Sequence, residues 1–180
     1  MDRIGLVCRW KPVHLGHAAM LEALCERARH VVIGLGSPNR HDVRNPFTAE
    51  ESAAMIRLVL EPRFSNWELV PVEDLGHGPR WRALVTKTFG PLDAFVTAND
   101  YVASLLATDY RIVHPAALVP RERHVAVDGT MTREAMARGE GWRALVPPAV
   151  ERYLDAHGLP ARFRREFGLE TLALAARRAS

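Results

Sequence analysis

The sequence predicts an α/β protein built on a parallel sheet with helices over both faces. Three observations predict it. Short apolar runs alternate with stretches of helical periodicity along the first two thirds of the chain. Most of those short runs are apolar on both faces, as strands of a doubly covered parallel sheet must be. The chain has 180 residues, 48% hydrophobic and 25% charged, enough for a sizeable core.

Residues 3–8, RIGLVC, read as a buried first strand. After a turn, AAMLEALCERARH places Met20, Leu21, Leu24, Cys25 and Ala28 on one helical side. HVVIGLG at 30–36 is a second strand, and Gly36 near its end leaves room for close approach of another group. A polar, basic loop, SPNRHDVRNP, follows. Thr48 then begins a helix with Glu51 as its reciprocal partner, and Pro62 ends it. WELVPV at 67–72 is a third strand, EDLGHGPR a loop and WRALVTKTF a short helix. LDAFVT at 92–97 is a fourth strand, NDYVASLLAT opens a helix, and YRIVH at 110–114 is a fifth strand. Beyond residue 115 the chain becomes irregular with β-like pieces. A short helix then closes at Gly139 or Gly141, and two helices follow at about 147–157 and 161–177. No linker divides the chain, which predicts a single domain over 1–180, with residues 1–115 as its core and 116–180 as an appended segment.

The net charge is +3, which suits anionic partners without naming them. No run reaches the ~20 apolar residues that span a membrane, and Asp2 and Arg3 break any secretory pattern. A cytoplasmic location is expected. The arginines of ARFRREFGLETLALAARRAS are interrupted by apolar residues at helical spacing. A packed terminal helix with a solvated face suits them better than a nucleic-acid patch. Cys8 and Cys25 are expected as free thiols and form no zinc signature.

The chemistry concentrates at one turn. His14 and His17 flank the start of the first helix, with Gly16 between them. A helix start offers unpaired N–H groups and a partial positive field, a site that holds phosphate. Two imidazoles there can donate hydrogen bonds to phosphate oxygens and stabilise charge at a reacting phosphorus. The same spacing also serves backbone capping or zinc, although no third and fourth ligand lies nearby in sequence.

RWKPVHLGH at 9–17 resembles the stretch GRFQPxHxGH of the HxGH-motif nucleotidylyltransferases. NPFTAEESAAMI resembles NPFTAGERxxMI, and VDGTMTREAMARGEGWRALVPPAV resembles YSGTxIRxxMxxGxxWxxLVPxxV. Both belong to the archaeal-type nicotinamide mononucleotide adenylyltransferases. The three stretches agree with that family in order and separation, over about residues 3–157. The resemblance implies a Rossmann-like parallel five-stranded sheet flanked by helices, with a C-terminal helical segment. It implies transfer of AMP from ATP to nicotinamide mononucleotide, giving NAD and pyrophosphate. It further implies a divalent cation, usually Mg2+, and a homo-oligomer, commonly a hexamer. The partners are then small-molecule nucleotides, with no membrane and no nucleic acid. Nicotinate mononucleotide or another phosphorylated acceptor, and a non-catalytic nucleotide- or RNA-binding protein, are the alternatives.

On this resemblance His14 and His17 contact the ATP phosphates and steady the transition state. Arg9 and Arg133 match motif arginines and act with them in catalysis. Asp128, Gly129 and Thr130 stand at the SGT positions, and Thr130 offers its hydroxyl and backbone N–H. Trp81 matches a tryptophan that stacks on nicotinamide, although core packing is its alternative. Asp74 matches an aspartate near the carboxamide, or is a simple loop carboxylate. Asn99 matches a ligand-facing asparagine, or is a cap. Asn45 and Phe47 carry the NPF match, and the loop from Ser37 to Phe47 closes over the nucleotide. Trp10, Gly16 and Gly36 complete the expected nucleotide-binding set. Lys11 stands where the family has glutamine; it adds a point charge to the triphosphate or points to water.

The chain departs from the pattern in several places. Cys8 replaces a glycine, Val13 an aromatic residue, and Thr132 an isoleucine. Glu50 and Ser52 break the GER triplet, removing a helix arginine. Asp128 replaces the serine of SGT; a carboxylate near phosphates repels them unless it binds a cation or points away. GHGPRW replaces EFNSxW beside the acceptor pocket.

Overall fold

Five parallel strands lie side by side in the order β3-β2-β1-β4-β5. They are β1 (Arg3–Cys8), β2 (His30–Gly36), β3 (Trp67–Val72), β4 (Ala94–Val96) and β5 (Ile112–Val113). The helices are α1 (Leu15–Arg27), α2 (Ala49–Leu60), α3 (Gly78–Phe89), α4 (Asp100–Leu106), α5 (Gly129–Arg138), α6 (Pro148–Ala156), α7 (Leu159–Phe163) and α8 (Leu169–Ala179). This computed structural model describes residues 1–179. The expected Rossmann-like α/β fold, with a C-terminal helical segment, is what the chain forms.

The chain folds as two compact units. The first comprises Met1–Arg9, Ala19–Arg40 and Leu60–His124. The second comprises Trp10–Ala18, His41–Val59 and the residues from Val125 onward.

The first unit holds the whole sheet. β1 is central: Ile4 pairs with Val31 on one side and Ala94 on the other. Ile4 and Leu6 are fully buried, as are Val31, Val32 and Ile33 of β2. The near-continuous apolar runs therefore have the cause inferred from sequence, burial of both sheet faces. Strand order reverses at β1, and ligands of such sheets sit beyond the carboxyl ends of strands at that point. On one face Val32, Val72, Val85, Phe89, Phe95, Leu106 and Tyr110 form a buried cluster.

Several boundaries differ from the sequence reading. β4 and β5 are shorter than the apolar runs, because only Phe95–Ile112 and Val96–Val113 pair at that edge. α3 starts at Gly78 rather than Trp81: the His77 ring accepts from the Arg80 amide and Pro79 fills the first turn. The β-like pieces after residue 115 form no strand; single 3-10 turns occupy Pro115–Ala117 and Arg121–Arg123.

The second unit is helical. α5 packs against α7, α8 and the π-helical turn Arg164–Gly168 that joins them. That turn makes one long feature of Leu159–Ala179, beginning earlier than expected. Gly139 closes α5 in the left-handed conformation (φ 85°), and Gly141 (φ 75°) opens the next turn. Met136, Trp142, Val150, Leu154 and Phe163 are buried here. The expected capping box at α2 forms: the Thr48 amide donates to Glu51 Oε2 at 2.9 Å, and the Glu51 amide to Thr48 Oγ1 at 3.1 Å.

Candidate active site

The two histidines lie in the second unit, where α1 begins. α1 starts at Leu15, earlier than its apolar stripe suggests, because His14 caps it. The His17 amide donates to His14 Nδ1 at 3.3 Å. A neutral His14 then carries its proton on Nε2, which becomes a hydrogen-bond donor. The two rings stack, with centroids 3.6 Å apart and planes 23° from parallel. Trp10, fully buried, backs His17 with its ring centre 4.7 Å away.

Burial drives His14 down to about 4; Asp128 pulls it back up and Arg133 pushes it lower. Burial also holds His17 well below the ordinary histidine range, helped by His14 and Arg133 and opposed by the Pro12 carbonyl. Both rings are neutral at physiological pH. His17 Nδ1 is buried with no hydrogen-bond partner.

Gly16 has a steric reason. A Cβ there would lie 2.8 Å from the Val127 carbonyl oxygen and 3.2 Å from His14 Nδ1. That close approach brings the start of α5 to the start of α1. Arg133 completes the junction: its Nη1 donates to the Lys11 carbonyl at 3.1 Å, and its Nη2 lies 3.5 Å from Thr130 Oγ1. A Cβ at Gly129 would come within 3.0 Å of Arg133 Nη1, so Gly129 makes room for the guanidinium.

Asp128 is the N-cap of α5. Its Oδ1 accepts from the Thr130 amide at 2.7 Å and the Met131 amide at 2.8 Å. The extra carboxylate is thus turned onto backbone donors, and the Thr130 N–H expected for a ligand is already engaged. Lys11 is only 3% exposed, and its Nζ lies 3.4 Å from Asn45 Oδ1. It does not point to water. Asn45 is fixed in turn by Asp42, whose Oδ1 accepts from the Asn45 amide at 2.9 Å and from Nδ2 at 3.0 Å. Phe47 is fully buried, with its ring centre 6.3 Å from that of Phe163.

Five sequence candidates belong to the sheet unit. Arg9 is exposed at the end of β1. Gly36 ends β2, where a Cβ would meet the Cys8 carbonyl oxygen at 2.9 Å. Trp81 is half-buried against the core cluster. Asp74 caps its own loop through the Gly76 amide at 3.0 Å and pairs with Arg40 at 3.3 Å. Asn99 is the N-cap of α4, accepting from the Val102 amide at 3.1 Å. Burial pushes the Cys8 and Cys25 thiols up to about 12, so neither is a thiolate at neutral pH.

Sequence reasoning missed Asp42 and Arg162. Asp42 carries a local signal, an aspartate three residues before Asn45 that accepts from the backbone of its own turn. Arg162 carries none: its partner Glu51 is 111 residues away.

Among the described residues, no three His, Cys, Asp or Glu side chains gather where they could hold a metal ion. The donors here are imidazole, amide, ammonium and guanidinium groups, and Asp128 faces backbone amides. They form no oxygen cage for magnesium. No described helix is long and apolar enough to cross a membrane.

By family this chain is a nucleotidyltransferase. The chain belongs to the cytidylyltransferase-like family, whose model matches residues 8–148. Within it the chain is related to nicotinamide-nucleotide adenylyltransferases. It is 36% identical over 151 residues to that enzyme of Methanosphaerula palustris, covering 83% of this chain and 88% of the relative. It is 34% identical over 172 residues to that of Aeropyrum pernix, covering 92% and 97%. The fold is shared with a bifunctional NMN adenylyltransferase/ADP ribose pyrophosphatase from Francisella tularensis, with a TM-score of 0.74 and 16% identity. That match covers 99% of this chain, which spans 56% of the bifunctional protein.

Proposed function

We propose that this chain is an adenylyltransferase that moves AMP from ATP to the 5′-phosphate of nicotinamide mononucleotide, giving NAD and pyrophosphate. The observation that carries this reading is the neutral, stacked His14–His17 pair at the start of α1, with Arg133 beside it. The likeness to the nicotinamide-nucleotide adenylyltransferases of Methanosphaerula and Aeropyrum supports the choice of acceptor.

The chemistry follows from those groups. An oxygen of the acceptor phosphate attacks the α-phosphorus of ATP. The bond from that phosphorus to the bridging oxygen breaks, and pyrophosphate leaves. The attacking phosphate is already ionised at neutral pH, so no general base is needed. Catalysis is then alignment and charge stabilisation. His14 Nε2–H donates to a phosphate oxygen, His17 packs the ring in place and contacts the same group, and Arg133 and Lys11 supply positive charge. The α1 N-terminus adds backbone donors. Magnesium, when bound with ATP, would neutralise phosphate charge beside His14, Lys11 and Arg133. By motif position Trp81 and Asp74 are assigned to the acceptor, Asn99 to the bound ligands, and Arg9 to phosphate oxygens.

The test is direct. Protein, magnesium and ATP are incubated with nicotinamide mononucleotide, nicotinate mononucleotide and phosphopantetheine in turn, and products are identified by mass. NAD as the dominant product is expected; dominance of another adduct reassigns the acceptor, and no adduct in any arm rejects the activity. The same reading carries a homo-oligomer in the cytoplasm, and sedimentation checks the assembly.

A further inference from the structure

Arg162 in α7 takes no part in the chemistry above, yet it makes a bidentate, largely covered ion pair in the second unit. Its Nη1 donates to Glu51 Oε1 at 2.7 Å and its Nη2 to Glu51 Oε2 at 2.7 Å. Nη2 also donates to the Pro46 carbonyl at 3.2 Å. The side chains are only 27% and 16% exposed. A bidentate, largely covered pair of this kind differs from the solvated ion pairs that contribute little.

Glu51 has a second task, because its Oε2 closes the α2 capping box on the Thr48 amide. One carboxylate therefore ties the start of α2 to α7. Burial alone would raise the Glu51 carboxyl; the Arg162 and Thr48 hydrogen bonds outweigh it and hold the group below the usual range. The next residue, Phe163, packs on Phe47. Adjacent side chains of α7 thus grip Pro46, Phe47 and Glu51 from one side. The gripped segment begins at Asn45, whose Oδ1 meets Lys11 Nζ. Lys11 in turn accepts from Arg133 through its carbonyl oxygen. Hydrogen bonds and ring contacts, joined by the backbone at Asn45–Pro46 and at Lys11, run from Arg162 to Arg133.

We propose that Arg162 is a positioning residue for nucleotide binding: by clamping Pro46 and Glu51 it holds Asn45 where that side chain orients the Lys11 ammonium toward the nucleotide phosphates. The proposal rests on the reading above for the nature of the ligand. Arg162 touches no reacting atom, so its loss weakens ATP binding while the chemical step of bound substrate largely survives. Lysine in its place keeps the charge but not the fork that spans both Glu51 oxygens and the Pro46 carbonyl.

The experiment compares wild type with Arg162→Ala, Arg162→Lys and Glu51→Gln. Calorimetry gives the ATP Kd without acceptor, and turnover with nicotinamide mononucleotide gives KM and kcat. Wild type is measured first: failure to bind ATP would reject both the site reading and this proposal, whereas ATP binding without turnover would reject the transferase reading alone. The expected result is a tenfold or greater rise in ATP Kd and KM for Arg162→Ala, with kcat changed less than threefold. Millimolar guanidinium ion restores part of the affinity of Arg162→Ala and none of Glu51→Gln. Arg162→Lys, the variant to rely on if the alanine protein misfolds, falls between the two. Unchanged ATP affinity in the folded variants overturns the proposal. So does a loss of kcat and of thermal stability together without guanidinium rescue, which marks a purely structural pair.

Discussion

The imidazoles of His14 and His17 stack face to face at 3.6 Å, and the backbone amide of the second donates to Nδ1 of the first. Two charged rings at such a distance would repel by about 5 kcal/mol at an effective dielectric of 20. The arrangement therefore selects neutral rings, and a neutral His14 presents Nε2–H as a donor. A donor that needs no protonation step is suited to charge developing on phosphate oxygens.

Stability should fall with acidification well above the carboxylate range. An unfolded histidine binds a proton near pH 6.5, whereas folded His14 does so only near 4. Stability is complete above 6.5 and declines as pH falls, because the unfolded chain takes up protons that the fold refuses. His14 alone accounts for about 3 kcal/mol across that window. His17 acts in the same direction. Urea midpoints at pH 7.5 and 4.5 measure this, and the slope should shrink in His14→Gln. A flat profile between pH 7 and 5 contradicts buried neutral rings.

His17→Ala should lower kcat by about a hundredfold or more, the scale of removing one donor from a preorganised anion site. Its thermal midpoint should fall less than that of His14→Ala, since the His14 cap on α1 uses the backbone amide of residue 17, which alanine keeps. His14→Ala loses the cap as well and should cost both activity and about 1 kcal/mol of stability. Equal effects of the two variants on melting would undo this division of labour.

Gly16→Ala tests the contact between the starts of α1 and α5. The new methyl meets a backbone oxygen, that of Val127, which cannot rotate away. The expected cost is roughly 1–3 kcal/mol, and kcat/KM should fall at least tenfold as Arg133 shifts. Wild-type kcat/KM in this variant would mean that the close approach is dispensable.

Asp128→Ser separates capping from charge. Serine is an equally good N-cap, so stability should stay within about 0.5 kcal/mol. Removing the carboxylate takes negative charge away from His14 and from any phosphate there. ATP Kd should drop severalfold, and the His14 titration should move still lower, because Asp128 is the group holding it up. Weaker ATP binding would show that Asp128 serves the ligand rather than opposing it.

Much of this was legible in the chain. Strands 1 to 3, the Thr48–Glu51 box and the helix start at the histidines follow from local pattern, because each is decided by neighbours a few residues apart. The histidine cap of α1 was not, since ordinary cap residues are Ser, Thr, Asp and Asn rather than histidine. The same holds for His77 at α3. An aspartate at 128 is expected to repel phosphates unless it binds a cation or points away, and its bonds to the Thr130 and Met131 amides, an N-cap, depend on the fold of that turn. The Arg162–Glu51 clamp and the Gly16–Val127 contact join distant segments, and no local periodicity encodes them.

The most direct measurement follows pyrophosphate release by wild type with magnesium, ATP and nicotinamide mononucleotide, with and without the acceptor, while mass identifies the product. Pyrophosphate and NAD should appear in equal amounts, only when the acceptor is present. Pyrophosphate released equally without acceptor, or none released at all while ATP binds, would contradict adenylyl transfer at the His14–His17 site.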